Sequence, residues 1–366
     1  MNKQRLEYID IARCIGIWTI VFGHTIKGAS ALHHFVSVFQ VPIFFMLTGM
    51  TFQMNEEISR GLKKRVKRLL VPYAVFSGIS ILLFYFMGSF AVSLSSDYKS
   101  MSILPNILGA LYGNGRTGYM KWNLPLWFLP CSFMISLEVS LFERAIRESM
   151  RRTFFRCLAI VVSIAANIAY CTFWKEIMLP LSLEITIPMF GFVELGVLAA
   201  SFLRKHGEDT FIGLKYLVCS ILLLAVGAII NGFNSNINVL AMIFGHSFLL
   251  YYVSAFLCCV GILLLSIQLG SKQVSQAIRH GLTYIGKRTM AILVMHKFPV
   301  LAFQTMVPYM KIILIQEADS AAKTITGFFV SLTVIGLCLL VEIPANRYFP
   351  WVFGNSKRVV GTKKMQ

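Results

Sequence analysis

Three ionisable residues interrupt the first apolar run of the chain: Asp10, Arg13 and His24. At the centre of a spanning helix a charged group costs at least about 2.5 kcal/mol, so such residues mark function by default. Asp10 and Arg13 are three apart, which on a helix puts them on one face where they can pair. Arg13 and His24 are eleven apart, about three turns of 3.6 residues, so they share nearly the same face about 16 Å apart along the axis. One polar stripe then runs along most of the helix. A neutral imidazole accepts a proton from a hydroxyl near pH 7, which is the general-base task. Taken singly, His24 also reads as an interfacial histidine and Asp10–Arg13 as a structural ion pair.

A second cluster follows at 58–73, where Ile58, Leu62, Val66, Leu69 and Leu70 recur at helical spacing beside a basic face of Arg60, Lys63, Lys64, Arg65, Lys67 and Arg68. Arg65 and Arg68 are one turn apart and can grip one phosphate together, with Lys64 beside them. The other reading of this segment is a juxtamembrane helix that holds anionic lipid head groups. Between the two clusters, Pro42 interrupts a helical hydrogen-bond ladder and Gly49 lets a neighbouring helix approach. Further polar groups inside apolar runs are Trp127, Glu138, Glu184, Glu194, His246, His296 and Glu342. Trp127 falls where a belt tryptophan would sit. Glu138 lies mid-run, and His296 with Lys297 interrupts another run. Each is open to reading as a packed structural group. The eight cysteines form no C-x-x-C or metal-type spacing, so no metal is expected.

The elements that carry these residues follow from composition. Of 366 residues, 57% are apolar or aromatic and 14% are charged, against about 45–50% and about 25% in soluble domains. Mean hydropathy is +0.70. A soluble globule cannot hide so much apolar surface. Ten runs approach the about 20 residues needed to cross a bilayer: 9–26, 35–54, 69–90, 125–142, 157–174, 177–203, 216–231, 244–269, 290–315 and 325–344. The stretch 239–269 is long for one span, and its first part is expected to be interfacial or re-entrant. The first run has no convincing cleavage site and reads as a retained span. The gap 89–124 reads as a Ser/Gly/Asn-rich external loop.

The net charge of +18 arises from 34 Lys+Arg against 16 Asp+Glu. Alternating the loops between two sides puts 25 basic residues on the side of the N-terminus and 8 on the other, with Arg13 inside the first span. Positive charge accumulates in cytoplasmic loops, so both termini are expected inside. The same scatter over six membrane-flanking segments argues against nucleic acid as a partner. The expected fold is an all-α polytopic bundle of about ten membrane helices, one domain over 1–366, with the lipid bilayer as its surroundings.

The spacing Asp10-x-x-Arg13 followed after ten residues by His24 resembles the acyltransferase-3 family of integral membrane acyltransferases. Phe39-x-x-Pro42-x-Phe44-Phe45-x-x-x-Gly49 and Arg65-x-x-Arg68 followed by Pro72-Tyr73 are similar to that family's second-span and cytoplasmic motifs. Within the family the chain looks most like sugar O-acetylases, including fucose 4-O-acetylase-like proteins. The resemblance implies transfer of an acyl group, usually acetyl from acetyl-CoA as co-substrate, to a hydroxyl of a polysaccharide, O-antigen or lipid-linked sugar at the cell membrane. It implies catalytic roles for Arg13 and His24, with Asp10 as the partner of Arg13, and CoA contacts for Arg65 and Arg68. Trp127, Glu138 and His296 stand as candidate substrate contacts, and acceptor choice is expected in external segments such as 97–123. Two other readings remain at this stage. A transporter or flippase suits buried Asp, Glu and His, but no pair of matched broken segments marks two halves. A non-catalytic lipid-binding scaffold would tolerate substitution of Arg13 and His24.

Overall fold

Apolar runs this long satisfy their backbone groups in lipid only by winding into helices, and a computed structural model of the chain is built almost wholly of them. It describes residues 6–26, 31–53, 57–86, 103–118, 120–234, 236–306, 313–314 and 320–355. Among these, the only strands are the two-residue pair β1 (Ile237–Asn238) and β2 (Ile243–Phe244), an antiparallel hairpin. Its second strand falls in the early part of 239–269, the stretch expected to open with an interfacial or re-entrant piece, and its first strand lies just before it.

The helices are α1 (Glu7–Thr25), α2 (Ala31–Ser37), α3 (Pro42–Thr51), α4 (Ile58–Arg65), α5 (Val71–Phe86) and α6 (Ile103–Tyr112). They continue with α7 (Phe128–Ile146), α8 (Arg152–Phe173), α9 (Leu183–His206), α10 (Leu214–Gly232), α11 (Phe248–Gly270) and α12 (Gln276–Gly286). The last are α13 (Thr289–Met295), α14 (Lys297–Met306) and α15 (Ala321–Tyr348). A π-turn at Val66–Leu70 joins α4 to α5, and a 3₁₀ segment at Lys121–Trp127 leads into α7. Pro42 takes the first position of α3, where its missing N–H costs nothing.

Eight stretches are long and apolar enough to cross a membrane: Ala31–Thr51, Ser59–Phe86, Asn123–Ile146, Arg152–Phe173, Pro180–His206, Leu214–Gly232, Phe248–Gly270 and Ala321–Tyr348. The chain is therefore an all-α multi-pass membrane protein, with eight such spans among the described residues where about ten were expected. The two that fall short do so for physical reasons. Helix α1 has 19 residues but carries Glu7, Asp10, Arg13 and His24. The expected span at 290–315 breaks at His296 into α13 and α14, of 7 and 10 residues. The expected external loop also needs correction. Residues 87–102 lie outside the described set, while 103–112 form α6, whose Leu104, Ile107, Leu108 and Leu111 recur at helical spacing.

Helix α1 is the axis of the bundle, packed by α3, α11, α12, α13, α14 and α15. Helices α3 and α9 cross at very close range. A Cβ at Gly49 would stand 1.9 Å from the Val193 carbonyl oxygen, and one at Gly196 would stand 1.9 Å from the Met46 carbonyl oxygen. Backbones meet there because neither helix has a side chain between them. Replacing Gly196 with Ala is expected to destabilise the fold by about 1–3 kcal/mol, the usual cost of overpacking. The measurement is the thermal unfolding midpoint of the detergent-solubilised protein, and an unchanged midpoint would contradict the close crossing.

Candidate active site

The polar stripe of α1 survives in the fold, and each end of it is held by a different part of the bundle. Near the start of the helix, Arg13 Nη1 donates to Asp10 Oδ1 at 3.2 Å. Asp10 is buried, while Arg13 is half-buried. Helix α12 seats directly on this turn: a Cβ at Gly286 would stand 1.8 Å from the Asp10 carbonyl oxygen. One turn before it, Arg279 pairs with Glu7 at 3.2 Å.

The other end of α1 carries His24. Its ring stands 5.3 Å, centroid to centroid, from that of His296, tilted by 35°. The backbone carbonyls of His24 and Thr25 accept from Gln304 Nε2 at 3.0 and 2.7 Å, so α14 closes the end of α1. These are orphan carbonyls at a helix C-terminus, which need a donor when buried. His33 and Gln40 approach from the next segment: a Cβ at Gly23 would be 3.3 Å from Gln40 Oε1 and 3.7 Å from His33 Cδ2. Lys297, next to His296, is a charged neighbour of His24.

His296 has the more defined surroundings. Its side chain is fully buried. Nδ1 lies 3.0 Å from the Ile292 carbonyl and 2.9 Å from the Leu293 carbonyl. Two acceptors on one nitrogen require that nitrogen to bear a proton, so in the neutral ring Nε2 holds the lone pair. Nε2 is buried and has no hydrogen-bond partner among the described residues. A buried polar atom in that state is uncommon and calls for a partner.

At the far end from His24, Lys64 and Arg65 are half-buried and Arg68 is exposed. The Arg65 guanidinium carbon lies 5.4 Å from the centre of the Phe52 ring. The intended grip of Arg65 and Arg68 on one phosphate assumed an α-helical turn. The π-turn starts directly after Arg65 and includes Arg68, so the two are not stacked as an ideal α-helix would stack them.

A model of the Acyl_transf_3 family, described as an acyltransferase domain, matches residues 6–342. The chain belongs to the acyltransferase-3 family. It is therefore a membrane acyltransferase. No curated protein and no solved structure matches it.

The acyltransferase uses the other polar residues inside its spans mostly to tie helices together. Thr186 Oγ1 donates to Glu138 Oε1 at 2.7 Å, linking α9 to α7. Glu184 accepts from Asn114 Nδ2 at 2.7 Å and faces Arg116 at 3.6 Å. Glu342 accepts from Arg288 Nε at 3.0 Å. Trp127 stacks edge-on with Phe128 and is backed by Gly115, where a Cβ would meet Trp127 Cβ at 3.0 Å. The fold thus gives Glu138 and Trp127 packing partners of their own and sets His296 beside His24.

Sequence reading passed over Asn123, Gln304, Gln40 and His33. Asn123 is fully buried; its Nδ2 donates to the Val294 carbonyl at 2.9 Å and to Ser80 Oγ at 3.2 Å, tying the 3₁₀ segment to α13 and α5. Its signal in the sequence was weak, since Asn in a Gly/Asn-rich stretch reads as a turn. Gln304 sits eight residues after the break at His296, in a run classed by its apolar neighbours.

Proposed function

We propose that this acyltransferase moves an acetyl group from cytoplasmic acetyl-CoA to a hydroxyl of a cell-surface carbohydrate, with His24 as general base. The observation that carries the reading is the placement of His24 beside a buried, lone-pair-bearing His296 at one end of α1, while Arg13–Asp10 occupies the other end. In this reading both termini are cytoplasmic and the protein lies in the cell membrane. Phosphates of the donor meet the basic face of α4 and the π-turn, where Lys67 and Arg68 are exposed and no acidic side chain lies between 58 and 70.

The chemistry then balances with residues already placed. His24 takes the proton of the acceptor hydroxyl as its oxygen attacks the thioester carbonyl. The carbonyl oxygen gains negative charge, and the Lys297 ammonium is the nearby cation suited to it. The C–S bond breaks, the acetyl ester remains on the acceptor, and the CoA sulfur leaves with the proton that His24 had accepted. His296 Nε2 can accept only, so it fits a hydroxyl donor on the acceptor and holds that group against His24. Arg13 lies about 16 Å from His24 along a continuous helix, too far to share a reacting atom with it. Its role is to meet the donor's extended arm on the cytoplasmic side, oriented by Asp10.

The test is transfer of label from [¹⁴C]acetyl-CoA to an acceptor glycan in membranes containing the protein. The reading expects acid-stable, base-labile label on glycan, and it expects Arg65→Ala and Arg68→Ala to raise the KM for acetyl-CoA by about tenfold, since charge-assisted phosphate contacts are worth about 1.5–3 kcal/mol. Uptake of glycan without label transfer would replace acyl transfer to carbohydrate with transport.

A further inference from the structure

The π-turn between α4 and α5 has a cause in the sequence. Pro72 has no N–H, so the carbonyl four residues earlier, that of Arg68, receives no α-helical hydrogen bond from it. The pyrrolidine ring also collides with that same carbonyl in a regular α-helix. The helix answers by widening just before the proline: Val71 N–H donates to Val66 O, five residues back. π-turns of this kind are rare and gather at functional sites.

The freed backbone at Arg68 is covered from an unexpected direction. After α15, the chain makes a 3₁₀ turn at Pro350–Phe353 and reaches Gly354 in the left-handed region at φ +69°. A Cβ there would stand 2.6 Å from Arg68 Cα, 2.9 Å from Arg68 O and 2.9 Å from Lys67 O. Only glycine fits, on both counts: the φ is unfavourable for other residues, and the space is filled by backbone. The turn is itself anchored. Phe353 is buried, with its ring 5.7 Å from that of Phe76 on α5. Gly354 N–H donates to Trp351 O at 2.9 Å, and Asn355 Nδ2 donates to Asn346 Oδ1 at 2.9 Å.

We propose that the turn at 350–354 is a clamp on the π-turn, and that it positions Arg68 for a phosphate of the acyl donor. It rests on the donor site argued above. Gly354 touches no donor; it is a positioning residue that acts through the backbone of Arg68. The last helix and the basic helix, far apart in sequence, thereby form one binding element.

The experiment is binding of CoA, and separately of pantetheine, which lacks its phosphates, to the full-length detergent-purified protein by isothermal titration. Gly354→Asn is the main variant, because Asn tolerates a left-handed φ and so isolates the added Cβ. Its Kd for CoA is expected to rise by about tenfold, like that of Arg68→Ala, with the Kd for pantetheine unchanged. Phe353→Leu, which loosens the turn without crowding Arg68, is expected to show the same selective weakening to a smaller degree, and it carries the test if Gly354→Asn does not accumulate. Unchanged CoA binding in these variants, with Arg68→Ala weakened, overturns the clamp alone. Equal loss of CoA and pantetheine binding also overturns it, as a general distortion. Arg68→Ala binding CoA as the parent does would overturn the donor site and the clamp with it, leaving the basic face to lipid phosphates.

Discussion

Replacing His24 with alanine is expected to lower acyl transfer by about 10²–10⁴-fold, the range lost when a positioned general base is removed. The protein still reaches the membrane and unfolds at a similar temperature, because the contacts that close this end of α1 use the backbone carbonyls of His24 and Thr25, which alanine keeps. The measurement is label transfer from acetyl-CoA in membranes, normalised to the amount of protein. Transfer at the parental rate would remove His24 from the mechanism. His24→Gln is a useful companion. Glutamine restores polarity at the site without a group that carries a proton at neutral pH, so its activity should stay near that of alanine.

The second large effect concerns stability. Arg156, near the start of α8, sends Nη1 to Glu194 Oε2 at 2.6 Å and Nη2 to Glu143 Oε1. All three side chains are buried, and they join α7, α8 and α9. Arg156→Met fills much of the same volume and leaves two carboxylates without their counter-charge. Breaking a buried pair by removing one partner costs about 3–5 kcal/mol, because the remaining charge is left uncompensated. The unfolding midpoint in detergent and the yield of folded protein should both fall. Adding Glu194→Gln to the same chain should recover part of the loss by removing one stranded carboxylate. The specific activity of the folded fraction should stay near that of the parent, since the triad lies in helices that do not carry His24 or His296. An Arg156→Met protein as stable as the parent would show that the carboxylates are held by something other than this arginine.

Arg156 also shows where charge counting stops. Its place just before an apolar run reads as one of the 25 basic residues on the side of the N-terminus, yet it is 5% exposed and neutralises two glutamates inside the bundle. Hydropathy and charge patterns read one residue at a time, so they locate spans and sides well. They say nothing about a pair formed between α8 and α9. The stripe on α1 was legible because helical periodicity alone fixes it, and α1 is an unbroken helix. His296 stood out as a polar break in an apolar run, but its neighbour His24 lies 272 positions earlier in the chain. Only packing brings them to 5.3 Å. The π-turn was hidden for a related reason. Pro72 is visible in the sequence, but whether a helix kinks, ends or widens at a proline depends on what packs beside it. Helix α6 was missed because the polar residues around it set the character of the whole segment.

The two segments that fall short of a clean spanning helix, α1 and the broken pair α13 and α14, are the ones that carry His24 and His296, and they pack against each other. During synthesis, each is a poorer candidate for transfer into lipid than an uninterrupted apolar span, because charged and polar side chains oppose partitioning. The first emerges from the ribosome long before the second exists. The contact between His24 and His296 closes only once the later segment has been made, so this end of the bundle is completed by a part of the chain that leaves the ribosome late.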